Sequence, residues 1–172
     1  MQKIWSKVLA GEVKEPTTFS LRTLNCLRNM SVSDAKLFEL VHSIMIEDDC
    51  VISDMDFLKK NGICYDDILK LDECGLINSS GNIESRDKVT TDWRKIFDFG
   101  EYILEGKTNN EVYDYSFPAY PLTTAGKELC RISKKTLSID KIKDISKYIV
   151  RNNLQLQFRL YKSDSGETIN KK

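Results

Sequence analysis

The stretch Tyr120-Pro121-Leu122-Thr123-Thr124-Ala125-Gly126-Lys127-Glu128-Leu129 constrains the fold more than any other part of the chain. It reads as the end of an aromatic extended run passing straight into a helix. Thr123 or Thr124 can accept from the free N–H groups of a first helical turn. Leu129 and Ile132 then begin an apolar face, with Cys130 beside it. Upstream lie an expected hairpin and, before that, a helix closing on Cys74-Gly75-Leu76-Ile77.

Taken in order, the chain opens on a short helical pattern over residues 2–10, with Ile4, Trp5, Val8 and Leu9 on one face. Thr18 or Ser20 opens a second helix ending near Asn29. Ser31 and Asp34 have the spacing of a capping box. The helix that follows, to about Ile46, turns Leu37, Leu40, Val41, Ile44 and Met45 inward, with Phe38 on the flank. Cys50–Ile52 is a short candidate strand, and Ser53 or Asp54 caps a brief turn of helix closed at Asn61-Gly62. Tyr65–Glu73 is a helix with Ile68, Leu69 and then Leu76 inward, and Gly75 suits a left-handed C-terminal residue. A strand is expected over Ile96–Glu105, weakened by Gly100, with a return strand over Val112–Phe117. After a helix over 123–133, Ser138 caps another that turns Ile142, Ile145 and Ile149 inward. Leu154, Leu156, Phe158 and Leu160 then alternate with polar residues in a period-two strand.

Helices, then a hairpin, then strand-to-helix is the outline of a winged helix. The expected class is therefore α+β: a helix-rich, winged-helix-like domain with a β-hairpin wing and a C-terminal helix–strand extension. The expected divisions are an N-terminal helical pair over 1–30, the winged-helix-like domain over 31–135, the extension over 136–163 and a polar, frayed tail over 164–172. The extension's strand can join the hairpin sheet.

Charge is segregated although it sums to zero. Residues 46–73 carry 3 Lys/Arg against 9 Asp/Glu, and residues 127–172 carry 12 against 5. Such asymmetry bears on association, not on fold. No apolar run approaches the roughly 20 residues that span a bilayer. The first ten residues lack the layout of a secretory signal, so a cytoplasmic location without membrane contact is expected. The 5 cysteines are widely spaced with no C-x-x-C pair, which argues for small buried hydrophobes over a disulfide scaffold or a zinc site.

No catalytic constellation is present, and the chain is expected not to be an enzyme. His42, the only histidine, lies mid-helix and reads as a residue at the boundary of the apolar face, because a zinc site needs three or four convergent ligands. Asp48, Asp49, Asp54 and Asp56 could converge on a divalent cation, but no EF-hand loop is present and solvated acidic turns are the better reading. No bound cofactor and no metal are expected. The recognition position of a winged helix falls on Tyr65–Glu73, where Asp66, Asp67, Asp72 and Glu73 face Lys70 alone. Duplex phosphate repels such a helix, and no Arg is there to read guanine. Asp98, Glu101, Glu105, Glu111 and Asp114 make the expected hairpin acidic as well. Two basic rows remain: Lys127, Arg131 and Lys135 on one helix, and Lys143, Lys147 and Arg151 on the next, each at i, i+4, i+8. They are the candidate contacts for an acidic protein partner, for the acidic middle of a second copy, or for a nucleic-acid backbone. A solvated face is the simplest account of them. Tyr113, Tyr115, Phe117 and Tyr120 are a further candidate surface, for which internal packing is the better reading.

Two blocks carry a resemblance. The first runs Ile4-Trp5-Ser6-Lys7-Val8-Leu9-Ala10-Gly11-Glu12, Pro16, Phe19-Ser20-Leu21-Arg22-Thr23-Leu24, Met30-Ser31 and Asp34-Ala35-Lys36-Leu37-Phe38. The second is Tyr120–Gly126 with Glu128 and Leu129. Together they resemble an uncharacterised bacterial family of unknown function, over about residues 1–132. More distantly, the order is similar to the abortive-infection alpha family, which implies a role near phage defence. In the first family the Trp block usually has residues before it, which implies that this chain is a C-terminal portion of a longer protein. Neither resemblance supplies catalytic residues. The expectation is a non-enzymatic protein-interaction module that binds a protein partner or itself. The alternative is a nucleic-acid-binding domain using the basic C-terminal helices.

Overall fold

In a computed structural model, the described residues are Ser6, 19–46, 49–81, 83–90, 95–109, 112–133, 137–152 and 156–162. The expected helix over 2–10, Lys135 and the tail from residue 163 lie outside them, Ser6 apart. The elements in order are α1 (Leu21–Asn29), α2 (Val32–Ser43), β1 (Cys50–Ile52), α3 (Met55–Lys60) and α4 (Tyr65–Glu73). Then come β2 (Ile83–Thr90), β3 (Lys95–Asp98), β4 (Tyr102–Thr108), β5 (Val112–Pro121), α5 (Thr124–Ile132), α6 (Ile139–Asn152) and β6 (Leu156–Lys162). The class is mixed α+β, with six helices and two small antiparallel sheets among the described residues.

The chain forms two compact units, one of residues 1–83 and 119–134, the other of residues 84–118 and 135–172. Strands order as β1-β5-β2 in one sheet and β3-β4-β6 in the other.

In the first unit, each helix start is set by a short polar side chain. Ser20 accepts from Thr23 N, Asp54 from Phe57 N and Thr123 from Gly126 N. Ser31 and Asp34 cap α2 reciprocally: Asp34 N donates to Ser31 Oγ at 3.1 Å and Ser31 N donates to Asp34 Oδ2 at 2.8 Å. Helix α4 ends in a Schellman turn, where Gly75 at φ +70° lets Leu76 N reach Leu71 O at 2.9 Å and Gly75 N reach Asp72 O at 2.7 Å. Leu71 and Leu76, brought together by that turn, are both fully buried. β1 pairs antiparallel with the end of β5, Cys50 opposite Pro121 and Ile52 opposite Ala119.

The core of this unit corrects several expected faces. Phe38 is fully buried at the centre of α2, with Ala35, Val41 and Met45, while Leu37 and Leu40 are only partly covered. His42 is a core residue, not a boundary one; its ring stacks on Phe38 with centroids 6.3 Å apart and planes at 8°. On α4 the inward pair is Ile68 and Leu71, and Leu69 faces out.

The second unit departs further from expectation. The single strand expected over Ile96–Glu105 is a hairpin: β3 and β4 pair antiparallel, with Ile96 opposite Glu105. The chain reverses at Gly100, which sits at φ +81° and donates its N–H to Asp98 Oδ1 at 2.8 Å. The partner expected for Val112–Phe117 therefore changes: β5 lies between β1 and β2, and β4 lies between β3 and β6. Strand β6 runs antiparallel to β4 over seven residue pairs, Tyr102 opposite Lys162 through Thr108 opposite Leu156. α6 buries Ile142, Ile145, Tyr148 and Ile149. Phe97 meets Tyr115 edge-on at 6.2 Å and Phe158 at 6.1 Å, and Tyr115 stacks on Phe117. Tyr115, Phe117 and Tyr120 are buried, so these three serve packing. Glu105, expected on an acidic surface, is buried; it accepts from the Tyr161 hydroxyl at 2.8 Å and lies 3.7 Å from Lys107 Nζ.

Candidate interaction surface

The junction from β5 into α5 positions the first unit's surface helices. Thr123 N donates to Leu76 O at 3.0 Å and Thr123 Oγ1 to Gly75 O at 2.5 Å. Ile77 bridges Leu122, and Asn78 N donates to Pro121 O at 2.9 Å. The C-terminal turn of α4 is thereby clamped onto the start of α5. Gly126 is required there, because a Cβ at that position would press into the Leu76 carbonyl oxygen. One turn on, Glu128 Oε2 accepts from Ser20 N at 2.9 Å and from the buried Thr23 Oγ1 at 2.7 Å. A carboxylate from α5 thus caps the start of α1, where the helix dipole favours negative charge.

Helix α4 occupies the position from which the sequence reading expected recognition. Two of its four acids have internal work. Asp67 accepts from Cys64 N and Cys64 Sγ, both at 3.0 Å, and those bonds hold its carboxyl below the usual range. Asp72 accepts from Ser79 N at 3.0 Å and from the Ser79 hydroxyl. Lys70 Nζ lies 3.4 Å from Asp67 Oδ1. Asp66 and Glu73 are exposed, and at seven residues apart they share one side of the helix. Beside them Tyr65 is 50% exposed and Leu69 37%, one turn apart. The outer face of α4 is therefore an apolar pair bordered by two carboxylates. Sequence reasoning missed this pair because it turned Leu69 inward. The signal was available in the helical phase: Ile68 and Leu71 share a side with Leu76, and Leu69 shares one with Tyr65.

The basic candidates separate. On α5, Lys127 is partly covered and Arg131 exposed, while Lys135 lies outside the described residues. On α6, Lys143 is partly covered and Lys147 and Arg151 are exposed in one row. The two helices belong to different units. Asp140 and Asp144 share the N-terminal half of α6 with Lys143, and Lys147 and Arg151 stand exposed in its C-terminal half.

Of the acidic candidates for a cation, Asp54 caps α3, Asp49 and Asp56 are exposed, and Asp48 lies outside the described residues. Among the described residues no three His, Cys, Asp or Glu side chains converge as metal ligands. Cys26 Sγ donates to Cys74 O at 2.8 Å. Burial, with the neighbouring Cys74 second, pushes the Cys26 thiol up to about 11. Burial followed by the Asp34 charge raises the Cys74 thiol as well. Both cysteines are protonated, unreactive groups near neutral pH.

An α+β chain with a clamped helical unit, and no cluster of metal-ligand side chains, is what the described residues build. A family model for a protein of unknown function (DUF2806) matches residues 1–146, and the chain belongs to that family. No curated protein and no solved structure matches it. No helix among the described residues is long and apolar enough to cross a membrane.

Proposed function

We propose that this chain is a non-enzymatic protein-interaction module built on a winged helix, whose recognition-position helix has become a protein-binding surface. The observation that carries this reading is the outer face of α4: Tyr65 and Leu69 exposed side by side, with Asp66 and Glu73 along one edge. The winged-helix reading is supported by the order α2, β1, α3, α4, β2, β5 together with the strand order β1-β5-β2. On it, β3 and β4 are an insertion inside the wing, and β6 adds to that insertion. A duplex-binding recognition helix would carry cations and bidentate donors, and α4 offers one Lys already held by Asp67. On this reading the module is part of a bacterial phage-defence-associated protein acting in the cytoplasm; the distant similarity of its sequence to the abortive-infection alpha family is what supports that part of it.

The test has two arms. A photo-crosslinking residue at position 69 is expected to yield a protein adduct in the native host, absent when the residue is placed at exposed Lys36. A mixed-sequence duplex titrated against the chain is expected to give no salt-dependent binding. Duplex or RNA binding that falls with salt, and disappears when Lys147 and Arg151 are reversed to Glu, would replace this reading with nucleic-acid binding. The exposed Lys147 and Arg151 favour that second reading.

A further inference from the structure

We infer that the face of α4 formed by Tyr65, Asp66, Leu69 and Glu73 receives the basic end of α6 from a second copy of this chain. This deepens the α4 reading and rests on it. Asp67 and Asp72 are engaged by Cys64 and Ser79, and Lys70 is engaged by Asp67. Asp66 and Glu73 keep their charge at the surface, about 10 Å apart along the helix axis at 1.5 Å per residue. The same chain carries the complement. Lys143, Lys147 and Arg151 form one row on α6, about 12 Å from first to last by the same rise, so Lys143 and Arg151 can meet the two carboxylates within one residue of register, with Lys147 between them.

Exposed ion pairs alone contribute little to affinity. The apolar pair supplies the rest: the methylene stems of Lys147 and Arg151 can lie across Leu69, and their charged ends can sit over the Tyr65 ring. The charge pattern of the whole chain suits such a partner. Residues 46–73 hold 3 bases and 9 acids, residues 127–172 hold 12 and 5, and the total is zero. Copies therefore do not repel at long range while their opposite regions attract. Each chain offers one acidic and one basic face, so the contact between copies is heterologous, with the α4 face of one copy meeting the α6 row of the next.

The test is sedimentation of the full chain at about 100 µM, where contacts in the µM range register. At about 50 mM salt self-association is expected, reverting to monomer near 0.5 M as screening tightens. Two variants separate the faces: Asp66→Lys with Glu73→Lys, and Lys147→Glu with Arg151→Glu. Each is expected to be monomeric alone, because its two faces then carry like charge. Mixed in equal amounts they are expected to associate again, because each α4 face then finds an α6 row of opposite charge on the other variant. Should circular dichroism show that a reversal unfolds the chain, the neutral forms Asp66→Asn/Glu73→Gln and Lys147→Gln/Arg151→Gln replace it, each expected to lose the self-association. A wild type that stays monomeric at low salt, variants that still self-associate, or a mixture that stays monomeric would overturn the inference. A monomeric wild type whose position 69 still crosslinks a different protein would sink the self-association while leaving the α4 surface standing.

Discussion

Cys26 and Cys74 show how a residue's surroundings set its chemistry. Cys26 sits on α1 with its thiol turned onto the Cys74 carbonyl, and its folded value lies near 11 against an ordinary 9.0. The folded state therefore holds a proton that the unfolded state releases between those two values. Stability from this group is complete below pH 9 and is lost as pH rises toward 11. Denaturant titrations between pH 8 and pH 11 are expected to show falling stability. Cys26→Ala flattens that slope in part, and the raised Cys74 thiol accounts for a share of what remains. A slope unchanged by the substitution would mean that Cys26 ionises as freely in the folded chain as in the unfolded one. The sequence identified these cysteines as small buried hydrophobes, which suits Cys50 and Cys130. It could not reveal that Cys26 and Cys74, 48 residues apart, meet, because that contact depends on how α1 packs at the end of α4.

At the scale of elements, the legible parts were those whose signal is local. Ser31 with Asp34, Asp54, Gly62, Gly75 and Thr123 punctuate helices through bonds reaching three or four residues, and each stands where its chemistry placed it. The strand pairing was not legible. β2 has no clear apolar alternation, and residues 96–108 hide a reversal at Gly100 inside one extended-looking run. Strand partners are set by long-range pairing, and no local pattern says that β4 chooses β6 over β5. The junction motif Leu122-Thr123-x-x-Gly126 is the exception where local and distant constraints coincide. Alanine in place of glycine inside a helix normally stabilises by up to about 1 kcal/mol. Here the added Cβ meets the Leu76 carbonyl, a backbone atom fixed by its bond from Thr123 N, and lies 3.3 Å from Leu122 Cβ. Neither neighbour is a flexible chain end. Overpacking of this kind costs about 1–3 kcal/mol and outweighs the propensity gain. Gly126→Ala is therefore expected to lower the urea midpoint with an unchanged m-value. A raised midpoint would show that the α4–α5 clamp yields at little cost.

For the whole molecule, the question is which contacts each compact unit owns. The chain passes between the units after Ile83, after Pro118 and after Lys134, and β5 contributes its first seven residues to one and its last three to the other. Each unit has its own apolar core. In the first it is built on Phe38, Val41, Leu58, Ile68, Leu71 and Leu76; in the second on Phe97, Leu104, Ile142, Ile149 and Leu160. Leu160 is fully buried on β6 and lies opposite Leu104 in the central strand of its sheet. Truncating such a side chain removes transfer free energy and leaves a cavity, together about 2–5 kcal/mol. Leu160→Ala is expected to lower amide-exchange protection in β4, β6 and α6 by the corresponding factor. Amides of α2 and α4 keep theirs, provided that the first unit's core holds without the second's. Equal loss in both sets would mean that the units unfold as one cooperative block, with β5 transmitting the damage. The selective pattern would instead mean that the α4 face keeps its geometry when the second unit is weakened. In that case the second unit can vary in this family without disturbing the α4 face, while the proposed contact between copies still requires Lys147 and Arg151 on α6.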